Sequence, residues 1–151
     1  MKTKLAVAGI LGVAIIGAFS WKLRAQDSTS DTTSSVWDGV YTKAQAERGQ
    51  ALYNSTCASC HGDQLNGGET APPLAGGEFM ANWNGLPVGQ LFERIRTGMP
   101  PAEPGKVTRD AKVNILAYVL SVNRFPAGDK ELPRQTEAMN TIKIEAEKPA
   151  K

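Results

Sequence analysis

Within the five residues Cys57-Ala58-Ser59-Cys60-His61 lie both cysteines and the only histidine of the 151-residue chain. Two thiols three positions apart, followed at once by an imidazole, form a haem-attachment signature. Each thiol can add to one vinyl group of a porphyrin, and the adjacent imidazole then lies under the ring with a nitrogen free for iron. Other chemistry is open to the same residues. A Cys-x-x-Cys pair can close a small disulfide loop; as a thioredoxin-like redox pair it needs a βαβ pattern, which is not found here. A structural zinc site takes four ligands, and the chain offers three Cys or His side chains. Covalent haem is the reading the spacing favours, with a disulfide as the alternative.

Helices must deliver and enclose this turn. From Thr42 to Asn54, Ala46, Gly49 and Tyr53 fall at i, i+3 and i+7 with Leu52 beside them, which predicts a helix ending just before Cys57. Gly49 weakens such a helix by about 1 kcal/mol relative to Ala. Its usual compensation is close approach by another element; a tolerated surface glycine is the alternative. Pro87 opens a second helix with Val88, Leu91, Phe92 and Ile95 on one stripe and Gly98 as its stop. A third runs from about Arg109 to Asn123, with Thr108 as N-cap and Pro126 beyond its end. It is apolar around so much of its circumference that it must be buried on two sides: one could meet the first helix at Gly49 and the other the haem.

Between these helices lie two stiff segments. Ala71-Pro72-Pro73-Leu74 follows a glycine-rich loop and takes an extended path. It could supply a carbonyl to the second ring nitrogen of an iron-bound His61, or be merely a rigid turn. Met99-Pro100-Pro101 follows the second helix, and the prolines hold Met99 in extended backbone, which suits a ligand reaching across a ring. Met80 lies in a short helix over residues 78–83, only 19 residues past His61, and reads as core filler. Met139 falls in a weakly ordered tail.

Residues 1–25 have the layout of a secretory signal: Lys2 and Lys4, an uncharged run from Leu5 to Trp21, then the small Ala25. The run is also close to the length of a membrane-spanning helix, so an uncleaved N-terminal anchor is the alternative. Residues 26–35 read as a flexible polar leader, 36–127 as one small domain, and 128–151 as a C-terminal extension that could wrap its surface, with 146–151 disordered. The formal charge is +2, from 17 basic and 15 acidic residues; loss of residues 1–25 removes four basic residues and no acid, leaving −2. That near-neutral balance gives no support to nucleic-acid binding, which wants a basic face. Arg94, Arg96, Lys106, Arg109 and Lys112 flank Met99 and could form a basic rim for a transient partner.

Helices on either side of Cys-x-x-Cys-His, with Met99-Pro100 beginning 38 residues after His61, make the chain resemble the class I c-type cytochromes. The likeness covers about Val36 to Ala127 and rests also on Gly49, Tyr53, Pro72-Pro73-Leu74 and Tyr118. It is similar in detail to single-haem periplasmic types associated with quinoprotein and related dehydrogenases. The resemblance implies an all-α fold, three to five helices around one covalent haem c. It further implies thioethers at Cys57 and Cys60, His61 and Met99 as iron ligands, the Pro72 carbonyl as acceptor for the His61 ring, and a helix crossing at Gly49 near Tyr118. Trp83 would sit near a haem propionate, unless it is simply a core tryptophan. The implied role is an electron carrier and not an enzyme, taking one electron from a periplasmic dehydrogenase towards a terminal oxidase or another cytochrome. A haem enzyme or gas sensor with a labile distal methionine is the alternative. The location would be periplasmic, with membrane contact only through an uncleaved anchor.

Overall fold

The computed structural model describes residues 34–150. The segment expected to be a signal or anchor, and the expected leader up to residue 33, lie outside the described residues. Six α-helices surround one core: α1 Lys43–Thr56, α2 Ala58–His61, α3 Gly76–Trp83, α4 Val88–Gly98, α5 Arg109–Val122 and α6 Thr136–Met139. Two of them, α2 and α6, are single turns. The all-α expectation holds; among the described residues strand is confined to a parallel pair, β1 Ser34–Ser35 and β2 Ile142–Lys143.

Local chemistry starts each long helix where the sequence indicates. Thr42 Oγ1 accepts from Gln45 N at 3.1 Å and Thr108 Oγ1 from Ala111 N at 3.3 Å, each satisfying one amide that the first helical turn leaves without a partner. Pro87, extended at φ −65°, leads directly into α4. Helices α1 and α5 make the most extensive helix contact of the fold. A Cβ built at Gly49 would lie 1.9 Å from the Asn114 carbonyl oxygen and 3.0 Å from Tyr118 Cβ, so only glycine lets the two backbones approach this closely. Tyr53 and Tyr118 pack beside the crossing with ring centroids 5.4 Å apart.

The C-terminal segment belongs to the same core. Leu132, Met139, Ile142 and Ile144 are all buried, each contributing about 2 kcal/mol of burial before the entropy of ordering the chain is counted. Met139, expected in a weakly ordered tail, is fully buried. Gln45 exchanges two hydrogen bonds with Leu132, donating Nε2 to its carbonyl at 3.3 Å and accepting its amide at 2.7 Å. Trp37 Nε1 donates to the Glu145 carbonyl at 2.9 Å, and its ring meets Phe125 edge-on. Ser34 and Ser35, read from the sequence as the end of a polar leader, pair with Ile142 and Lys143. Even Ala146, expected to be disordered, donates its amide to Asn84 Oδ1 at 2.8 Å.

Candidate haem site

Helix α1 carries the chain to Cys57, whose amide donates to the Tyr53 carbonyl at 2.8 Å. The chain then makes one tight turn, with the amides of Cys60 and His61 both donating to the Cys57 carbonyl, at 3.1 and 3.0 Å. His61 is buried, Cys57 half-buried and Cys60 exposed, and no disulfide joins the two cysteines. Burial pushes the Cys57 thiol up, partly offset by its contact with Thr56 Oγ1. The turn exits through Gly62 at φ +78°, where a Cβ would lie 2.3 Å from Asn66 Oδ1. Tyr53 Oη donates to the Gly62 carbonyl at 2.7 Å. Burial first, then the neighbouring Cys57, Tyr118 and Asp63, push the Tyr53 phenol up to about 12, so it remains a donor.

His61 Nδ1 lies 2.9 Å from the Pro72 carbonyl oxygen. A carbonyl can only accept, so Nδ1 carries the proton and the lone pair of the imidazole is on Nε2. The proline segment is braced to do this: Gly68 N donates to Ala71 O at 2.9 Å, Leu74 N to Leu65 O at 2.8 Å, and Asn123 Nδ2 to Leu74 O at 2.9 Å. Sequence reasoning missed Asn123. Its position just past α5 marked a helix end, but nothing local pointed to a tether.

Beside this turn opens a cleft of about 440 Å³. Its apolar wall includes Leu74 and Trp83, Leu91 and Ile95 of α4, and Ile115 and Val119 of α5. Thus α5 does have two working faces, with Asn114 and Tyr118 against α1 and Ile115 and Val119 on the cleft. Cys57, Cys60, His61, Pro72, Trp83 and Met99, the six residues singled out in the sequence, all line it. Met99 is extended at φ −126° and ψ 136°, donates its amide to the Ile95 carbonyl at 3.1 Å, and precedes a cis peptide to Pro100. Met80 and Met139 are not on the wall. Trp83 is half-buried there and not enclosed in the core.

The proposed basic rim forms only in part: Arg94 is exposed and lines the cleft. Arg96 and Lys106 are also exposed, but Arg96 pairs with Glu93 at 2.6 Å and Lys106 with Glu103 at 3.8 Å. Arg109 lies over the Phe92 ring at 4.9 Å and donates to Arg134 O and Thr136 Oγ1. Lys112 is only 3% exposed and is a wall residue of the cleft. Buried surroundings and distant carbonyl partners, invisible in local sequence, decide the fate of the last two.

These residues fit a haem. Two thiols and a buried imidazole border an apolar slot, the imidazole lone pair is left for a metal, and the Met99 thioether lines the same cleft. Zinc chemistry finds no such fit: among the described residues no three His, Cys, Asp or Glu side chains gather into a metal-binding group. Comparison with known proteins agrees. The family described as cytochrome C oxidase, cbb3-type, subunit III matches residues 44–119, which span α1, the Cys57–His61 turn, Met99 and most of α5. The chain belongs to this family. It is a c-type cytochrome, a haem c electron carrier. A curated relative, the cbb3-type cytochrome c oxidase subunit CcoP of Azospirillum brasilense, is 31% identical over 80 residues, covering 49% of this chain and 27% of that protein. The chain therefore matches about a quarter of that relative's length. No solved structure matches. Among the described residues no helix is long and apolar enough to cross a membrane.

Proposed function

We propose that this cytochrome carries one haem c and relays single electrons from a periplasmic dehydrogenase towards a terminal oxidase or another cytochrome. In this reading Cys57 and Cys60 form the thioethers, and His61 and Met99 are the axial ligands. The cytochrome domain spans about residues 36–127, followed by the C-terminal extension 128–151, of which 132–146 is strapped across it. The protein works on the periplasmic side, either freed by signal cleavage or held by residues 1–25. The oxidase-subunit name of the Azospirillum relative supports the oxidase end of this route; the dehydrogenase end rests on the sequence resemblance.

The observation that carries the reading is the shared apolar cleft, lined by both His61 and Met99, with His61 Nδ1 held by the Pro72 carbonyl. Bound haem supplies a one-electron iron couple, whose potential is raised by methionine ligation. The residues supply everything else. Pro72 fixes the imidazole tautomer and increases its basicity. Leu74, Leu91, Ile95, Ile115 and Val119 exclude water, while Trp83, half-buried in the lining, would offer an indole N–H to a propionate. His61 and Met99 would hold the iron through a nitrogen and a sulfur donor, which would leave no position for a substrate and confine the chemistry to electron transfer.

Intact mass under denaturing conditions tests the attachment. The purified protein should retain one haem, and a Cys57→Ala, Cys60→Ala double variant should retain none. Redox titration should give a single one-electron wave. A second haem, or haem lost on denaturation, would contradict the proposal.

A further inference from the structure

Lysine is among the side chains least often buried, yet Lys112 is 3% exposed in the wall of the cleft. Its Nζ donates to two main-chain carbonyls, Arg96 O at 2.9 Å and Pro104 O at 2.7 Å. Arg96 is in the last turn of α4, where carbonyls have no helical partner and a cation is favoured. Pro104 opens the 3₁₀ turn Pro104–Lys106. Between them runs the segment 97–103, with Met99 inside it.

We propose that Lys112 is a positioning residue for Met99. Its ammonium fastens both ends of segment 97–103 to α5 and thereby keeps the thioether in the cleft. This rests on the reading of Met99 as an axial ligand. For Met99 to leave, the segment must swing outward, and such a movement breaks hydrogen bonds whose charged donor makes them about twice as strong as neutral ones. Replacing Lys112 by Met keeps an unbranched chain of similar length but leaves both carbonyls without their donor. The closed segment should then lose its advantage over the open one, although the Met99 side chain itself is untouched.

The test uses carbon monoxide on the reduced holoprotein, with the sulfur-to-iron absorption band read on the oxidised form. Lys112→Met is compared with Val36→Ala, which destabilises the core away from the cleft wall. Lys112→Met should bind carbon monoxide at least tenfold faster than the wild type and show a weakened band, while Val36→Ala should match the wild type in both. Equal carbon monoxide rates in Lys112→Met and wild type, alongside a band lost in Met99→Ala, would overturn the positioning role and leave the ligand reading intact. A band that survives Met99→Ala would overturn the ligand reading itself. Should Lys112→Met fail to accumulate, the wild type carries the test through reciprocity of coupling. Displacing Met99 with cyanide should speed proton exchange at Lys112 Nζ at least tenfold, measured by NMR on ¹⁵N-lysine protein, and unchanged exchange would refute the proposal.

Discussion

Gly49→Ala sets two physical effects of opposite sign against each other. In an isolated helix the substitution would stabilise α1 by about 1 kcal/mol. In this fold the new Cβ would lie 1.9 Å from the Asn114 carbonyl oxygen, against an ordinary contact that begins at 3.4 Å, so α1 and α5 must part by about 1.5 Å. The obstacle is helix backbone, which has no alternative rotamer. Overpacking of this kind costs about 3 kcal/mol, the upper end of the usual range. The net loss of about 2 kcal/mol corresponds to a fall in the thermal midpoint of about 8 °C for a domain of this size. Far-UV circular dichroism of the holoprotein during heating reads it. Gly77→Ala, in α3 with open space around its Cβ, is the control and should leave the midpoint unchanged or slightly raised. A Gly49→Ala midpoint equal to or above the wild type would refute the close-crossing argument.

Tyr53→Phe removes the donor to the Gly62 carbonyl and should cost about 1–2 kcal/mol in denaturant unfolding. Because the folded phenol is pushed up to about 12, its protonated form contributes stability that is complete below pH 10 and lost as pH rises from 10 towards 12; ultraviolet titration should show delayed phenolate formation in that range, part of which disappears in Tyr53→Phe. Glu93 behaves in the opposite sense. Hydrogen bonds from Arg96 and then Thr136 hold its carboxyl down to about 2, so its contribution is present above about pH 4.5 and fades as pH falls towards 2. Glu93→Gln should flatten that part of the stability profile, and an unchanged profile would rule out this linkage. Met139→Ala should destabilise the fold by about 2–4 kcal/mol; a loss below 0.5 kcal/mol in urea unfolding would mean that the tail does not belong to the core.

The long helices were legible because their signals are local. Thr42, Pro87 and Thr108 mark starts, and stripes such as Val88, Leu91, Phe92 and Ile95 follow a helical period. Gly49 was legible for a related reason, as a residue that weakens its own helix and so implies a neighbour. The turn from Cys57 to His61 and the stiff backbones around Pro72 and Met99 also declared themselves. Features made by distant partners did not. Leu132, Met139, Ile142 and Ile144 carry no regular period in a segment interrupted by Pro126 and Pro133, and their burial depends on Gln45, Trp37 and α4. Lys112 read as a surface charge because its carbonyl partners, Arg96 and Pro104, are positioned only when the segment around Met99 folds back over α5. Arg109 was misread in the same way, its guanidinium lying over Phe92.

In the proposed site the haem iron is closed by His61 on one side and Met99 on the other. Visible and near-infrared spectra of the oxidised and reduced protein, with carbon monoxide added to the reduced form, test it most directly. An iron closed in this way gives a low-spin spectrum with a sulfur-to-iron band, altered by carbon monoxide only slowly on reduction, and loses that band in Met99→Ala but not in Met80→Ala. Prompt carbon monoxide binding by the wild type would contradict it and point instead to an open iron that binds small molecules.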